Sequence, residues 1–380
     1  MSLIQKSKFS QFSSRLCGVK KQFYIDPDIT KASTLNTAFY RSNDIFEEVK
    51  NNVFLKSWQW IGDDESMTKD GQVRPIVLLD GYLTEPLVLS RDESGTLRCM
   101  SNVCTHRGNL VCQHPGESRH LQCAYHGRRF GLDGKFHFMP EFGEACDFPS
   151  ESDDLRNFPL EKWGPFLFVG LEPKFELRPI LDLMDERVGF LPLHQFKEDT
   201  SLSKEYLVHA NWALYCDNFL EGFHIPFVHK DLNEALDYGE YKTELYDHMN
   251  LQVGYSDEST EGFDLPEGHP DHGRNVAAYY YWIFPNMMFN FYPWGLSVNV
   301  IKPLSIDRTK VSFLTYVYDR SKMDAGAGSL LDKVEREDEF IVESVQKGIR
   351  SNFYKKGRYS PTREMGVHHF HCLLANFINQ

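Results

Sequence analysis

The 380-residue chain has no run of about eighteen apolar residues, which argues against a membrane-spanning helix. Basic residues are in deficit: 41 Lys and Arg face 54 Asp and Glu, a formal net charge of −13. Nucleic acid is therefore not expected as a partner, because phosphate binding needs a basic surface. No internal repeat and no low-complexity linker is present, and no Gly-x-Gly-x-x-Gly fingerprint adjoins a strand, so no dinucleotide site is expected. Cysteines are few and scattered: Cys17, Cys99, Cys104, Cys112, Cys123, Cys146, Cys216 and Cys372. Without a signal peptide ahead of them, they read as reduced thiols and metal ligands, not as a disulfide framework. Acidic residues are missing from the first 25 positions, which carry Lys6, Lys8, Arg15, Lys20, Lys21 and several serines. Transit peptides share that composition. An ordinary basic terminus is the favoured reading, and the expected compartment is cytoplasmic.

What is present fits two folded units of the usual size, with 41% hydrophobic and 14% aromatic residues to fill their cores. Ile45, Phe46, Val49, Val53, Phe54 and Trp58 recur at helical spacing and predict a helix over 42–60. From 73 to 169 the texture is β-rich, with short runs at 76–79, 87–89 and 166–169 between turns such as Asp80-Gly81 and Asp133-Gly134. Residues 211–229 read as a helix broken near its end. Residues 277–303 read as paired strands with turns at Phe284-Pro285-Asn286 and Tyr292-Pro293-Trp294-Gly295, and a further strand is expected over 311–318. A charged helix is expected over 332–349, with Phe340, Ile341, Val345 and Ile349 on its apolar side. The chain thus divides into an N-terminal helical part of the catalytic unit (1–60), an inserted all-β unit (61–170) and an α+β catalytic unit (171–380).

Two short pairs of ligand types stand in the β-rich region: Cys104-Thr-His106-Arg-Gly and Cys123-Ala-Tyr-His126-Gly. Ligand types alone admit zinc or iron–sulfur. Each Cys-x-His pair puts a thiolate and an imidazole on one tight loop. A Rieske centre uses that arrangement, with both cysteines on one iron and both histidines on the other, so each loop supplies one ligand to each metal. Gly108 and Gly127 then let the backbone turn tightly behind the ligands.

A second set lies at Asp217-Asn-Phe-Leu-Glu221-Gly-Phe-His224-Ile-Pro-Phe-Val-His229. Mononuclear Fe(II) centres that activate O2 use two histidines and one carboxylate. On an unbroken helix His224 and His229 would lie about 140° apart, too far round for one metal. Pro226 removes a helical hydrogen bond between them, and a kink there is expected to let them converge.

With both sets in view, the chain resembles the α subunits of Rieske non-haem iron oxygenases, the ring-hydroxylating family, over nearly its whole length. Its 216–229 segment looks most like that of the choline monooxygenase group. The resemblance implies an inserted Rieske [2Fe-2S] domain and a helix-grip-like catalytic domain with a large antiparallel sheet. It implies cluster ligands Cys104, His106, Cys123 and His126, and iron ligands His224, His229 and, from the long helix, Asp338. Glu221 matches the bridging carboxylate that couples the iron to the neighbouring subunit's cluster in a homotrimer. There, His126 of one chain would face Glu221 and His224 of the next. Electrons are expected from NAD(P)H through a separate reductase, directly or through a ferredoxin. The product is expected to be a hydroxylated small molecule, a quaternary ammonium compound such as choline being one candidate.

Aromatic-ring dioxygenation or demethylation are the alternatives within the family, and an electron carrier or a zinc-stapled binding protein those outside it. Tyr279, Tyr280, Tyr281, Trp282, Phe284, Phe289, Phe291, Tyr292 and Trp294 could hold a trimethylammonium group by cation–π attraction, though most read as sheet core. Respiratory Rieske proteins have a disulfide across the cluster loops; Asn109 and Tyr125 occupy those positions here. Ala124 and Arg128 replace the family's usual Pro and Trp, which is expected to alter docking of an electron donor.

Overall fold

Ser42 accepts the Ile45 amide through its side chain and starts helix α1 (Asn43–Val49), which continues through a π-helical turn at Lys50–Phe54. The computed structural model describes residues 23–235, 237–256, 261–323, 326–328 and 331–380. The basic segment up to residue 22, with Cys17, lies outside them. The helix expected over 42–60 stops short of its last residues. Trp58–Asp63 is a strand paired antiparallel with Phe166–Gly170. Aromatic and β-branched side chains suit a pleated surface, and this pairing satisfies their backbone groups.

The β-rich region forms a five-stranded antiparallel sheet built around Gln72–Leu78, Glu85–Arg91 and Leu97–Ser101. A three-stranded sheet of Leu121–Gln122, Arg129–Phe130 and Phe136–Phe138 lies beyond it. Their shared core contains Val88, Met100, Phe130 and both cysteines, Cys104 and Cys123.

An eight-stranded antiparallel sheet dominates the rest, and Met249–Tyr255, Val276–Ile283, Met287–Tyr292, Gly295–Ser305 and Arg308–Val317 are its consecutive inner strands. Strand periodicity sends alternate side chains to opposite faces. Tyr279, Tyr281, Phe289 and Phe291 face a core shared with α2 (Arg178–Val188). Trp282, Met288 and Ile301 face another core, with α3 (Trp212–Phe219) and α7 (Met365–Ile378). Short helices α4 (Ile225–Val228) and α5 (Lys230–Ala235) follow α3, and α6 (Leu331–Gly348) packs on α3. The apolar side expected for this last helix is rotated. Val342, Gln346 and, just past its end, Ile349 point inward, whereas Phe340 is 74% exposed and Val345 42% exposed. Among the described residues no helix is long and apolar enough to cross a membrane.

Candidate metal centres

Two loops of one design carry the first centre. Gly108 N donates to Cys104 O at 2.9 Å, and Gly127 N to Cys123 O at 3.0 Å. Both glycines have φ near +75°, at +73° and +75°, which is why each motif ends on a residue without a Cβ. The Cys104 and Cys123 thiols are buried and act on each other electrostatically, and Asn109 Nδ2 donates to Cys123 Sγ at 3.5 Å. The His106 and His126 rings sit 4.8 Å apart. Nδ1 of His106 is buried with no hydrogen-bond partner, and burial, aided by neighbouring His126, holds its imidazole below the usual pKa. A buried neutral nitrogen with no partner is what a metal ligand looks like before its metal.

The grouping of donors also bears on which metals fit. Among the described residues, only His224, His229 and Asp338 form a set of three or more donors all within 4.8 Å of one another. In the first centre the two thiols act on each other and the two imidazole rings adjoin, so the residues pair by type. A single tetrahedral zinc would need all four together; a two-iron cluster needs that pairing.

Of the two departures expected to alter docking of an electron donor, Ala124 is exposed, whereas Arg128 is only 1% exposed and would act through the loops it holds. Its guanidinium lies 4.9 Å from the Phe136 ring centroid and 5.5 Å from that of Phe148, and it bonds Asp153 Oδ1 at 2.6 Å. The Asp153 carbonyl also accepts Thr105 Oγ1 at 2.7 Å, so one turn latches both cluster loops.

In the second centre, α3 ends at Phe219 and the chain turns through Leu220–Gly222. Gly222 is required there, since a Cβ would come within 2.8 Å of the Tyr241 ring. The expected kink at Pro226 does not occur. Pro226 lies in the first turn of a new helix, α4, where a missing N–H costs nothing. His224 precedes that helix and His229 follows it, with φ −110° and ψ 76°, and their rings meet at 5.0 Å. Glu221 lies past the end of α3, so it reaches His224 around the turn and not along a helix face. Its Oε1 is 2.7 Å from His224 Nδ1, and its Oε2 accepts the backbone N–H groups of Phe223 and His224.

Asp338 comes from α6. Its Oδ1 lies 2.9 Å from His229 Nε2 and 3.5 Å from His224 Nε2. Ligands at right angles on a metal with bonds of about 2.1 Å stand about 3 Å apart, so this donor set fits one ion. Two partners were not legible in the sequence. Glu337 Oε2 accepts from His229 Nδ1 at 2.8 Å, and Asn218 Nδ2 donates to Asp338 Oδ1 at 2.6 Å. Each histidine thus turns Nδ1 to a carboxylate and Nε2 towards Asp338, the side on which a metal would be held.

The centre opens into a cavity of about 100 Å³, lined by Tyr215, Tyr241, Tyr280, Tyr292, Phe313 and Glu335 among others. Glu335 is half-buried on this wall, and desolvation pushes its carboxyl up to about 8. Of the nine aromatic residues singled out in the sequence, Tyr280 and Tyr292 line this cavity, while Trp294 stacks behind Tyr292 at 5.3 Å.

Residues 57–159 match the model of the Rieske [2Fe-2S] domain, and residues 194–380 that of the ring hydroxylating alpha subunit (catalytic domain). Chloroplastic choline monooxygenase of Arabidopsis thaliana is 31% identical over 371 residues, covering 92% of this chain and 84% of that protein. The chain belongs to the Rieske oxygenase α-subunit family. The carnitine monooxygenase oxygenase subunit of Escherichia coli (strain K12) is 28% identical over 366 residues, 91% of this chain and 94% of that one. A solved quaternary ammonium Rieske monooxygenase, described with carnitine oxidation and inter-subunit electron transfer, has a TM-score of 0.72 at 22% identity, covering 93% and 96%. As a Rieske oxygenase, the chain is a terminal oxygenase component, an oxidoreductase that works with a [2Fe-2S] cluster, a mononuclear iron and electrons from a partner reductase.

Proposed function

We propose that this Rieske oxygenase hydroxylates a small quaternary ammonium compound held in the cavity beside His224, His229 and Asp338. The observation that carries the reading is the cavity wall: four tyrosines and an uncommitted carboxylate, Glu335, around the metal-binding triad. Aromatic faces attract a trimethylammonium group by up to about 2 kcal/mol when water is excluded. The volume admits about seven to ten water molecules, the size of a small organic molecule. The relatives named for choline and carnitine point the same way.

Cys104 and Cys123 would hold one iron of the cluster, and His106 and His126 the other. His224, His229 and Asp338 would hold the mononuclear iron. When bound, the iron supplies the O2-activating centre and the cluster relays electrons to it. The chain's own residues prepare that chemistry. Glu221 and Glu337 fix the tautomer and ring orientation of the two histidines, and Asn218 steadies Asp338. The tyrosine walls orient the ammonium group and exclude water.

We also propose a homotrimer in which His126 of one subunit faces Glu221 and His224 of the next. Tyr125, 57% exposed, stacks on His126 at 3.7 Å, and Phe223, Phe227 and Phe340 expose apolar surface beside Glu221 and Glu337. Such a patch fits burial by another subunit. NAD(P)H would supply electrons through the reductase, directly or through a ferredoxin, and the free cysteines fit a reducing compartment, which we assign as the cytoplasm. The test is substrate-dependent O2 uptake by the metal-loaded protein with a surrogate reductase. Uptake coupled to choline or carnitine supports the proposal, whereas turnover of neutral aromatics alone sinks it.

A further inference from the structure

The cavity beside the metal triad is one-sided in charge. Its lining includes the carboxylates of Glu221, Asp338 and Glu335 and, among the described residues, no Lys or Arg. Two of these acids are committed, Glu221 to His224, and Asp338 to His224, His229 and Asn218. Glu335 stands one helical turn before Asp338 and forms no hydrogen bond and no ion pair with any described residue; Lys204, the cation that acts on it from a distance, is itself paired with Asp332. Glu335 is half-buried, and desolvation favours its neutral form until a cation enters the cavity, so a cationic ligand and the ionised carboxylate stabilise each other. The same wall contains Gln252 and Asn290, whose side-chain oxygens are buried and accept no hydrogen bond. Acceptors without donors, together with aromatic faces, complement a cation. Apart from the iron that the triad would hold, the lining offers a second carboxylate no counter-charge.

Building on the quaternary ammonium reading, we infer that Glu335 is a specificity-determining residue that selects ligands of net positive charge over zwitterionic betaines. The ammonium group lies against the tyrosines with Glu335 as its counter-ion, and a ligand that brings its own carboxylate is rejected. Choline meets that requirement; glycine betaine and carnitine do not.

Calorimetric titration of the anaerobic, iron-loaded holoprotein tests this with choline, its neutral carbon isostere 3,3-dimethylbutan-1-ol, glycine betaine and carnitine. Choline is expected to bind at least about tenfold more tightly than the other three. Glu335→Gln should reduce choline affinity by about tenfold and leave the neutral isostere unchanged, which also shows that the cavity is intact. Glu335→Asp, which keeps the charge, should retain the preference. Carnitine or betaine binding as tightly as choline overturns the inference while leaving the quaternary ammonium reading in place, as does a Glu335→Gln variant with undiminished choline affinity. If no ammonium compound outbinds the neutral isostere in the native protein, both fall.

Discussion

Glu337 accepts the Nδ1 hydrogen of His229 at 2.8 Å, the same contact that Glu221 makes with His224 at 2.7 Å. The two candidate iron ligands are thus oriented by one device used twice, although the acids lie on different elements and 116 residues apart in the sequence numbering (337 minus 221). Partners of this kind are typically worth about 10–100-fold in metal affinity. Glu337→Gln is therefore expected to weaken Fe(II) binding by about that factor without changing the cluster's absorption. Competition with a chelator, followed by iron analysis, measures it.

Asp338 and the cluster cysteines should be separable. Asp338→Ala is expected to lose the mononuclear iron and keep the Rieske signal after reduction. Cys104→Ser is expected to lose the cluster instead. Electron paramagnetic resonance on the two variants checks the pair of outcomes. Loss of both signals in the Asp338 variant would count against independent centres.

Arg128 ties the segment around Asp153 to the cluster loops from a buried position. Removing one partner of a largely buried ion pair costs about 3 kcal/mol. Arg128→Ala should therefore release the cluster at lower temperature, read as bleaching of its visible absorption during heating. The mononuclear iron should be retained.

His369 supplies a pH dependence. Burial, with nearby His248, holds its imidazole down to about 4, and its Nδ1 pairs with Asn250 Oδ1 at 2.7 Å. An unfolded histidine titrates near 6.5, so between pH 6.5 and 4 the unfolded chain binds more protons. The contribution is complete above 6.5 and is lost as pH falls towards 4, at most about 3 kcal/mol. His369→Gln should flatten the fall in unfolding temperature across that window relative to the native chain.

The sequence was most legible where chemistry is local. Each Cys-x-His pair is closed by its own glycine, so ligand, turn and spacing could be read within five residues. The hairpin turns at Pro285 and Pro293 were visible for the same reason. Strand alternation separates Tyr280 and Tyr292, which line the cavity, from core residues Tyr279 and Tyr281 once the register is known. What depended on distant partners was not legible. Trp58 fits a helical pattern until the strand at Phe166–Gly170 pairs with it. Phe340 and Val345 fit an apolar helix side, but the contact of α6 with α3 turns them outward. Pro226 looked like the source of the bend, yet the chain had already turned at Gly222, where the ring of Tyr241 leaves no room for a Cβ. Glu337 and Asn218 could not be distinguished from other polar residues until α6 was laid across α3.

The central claim is that this chain holds two different iron centres, and the most direct measurement is its metal and acid-labile sulfide content after anaerobic purification, with resonance spectra after dithionite reduction. The account predicts about three irons and two sulfides per chain with a Rieske-type signal. Zinc without sulfide would contradict it.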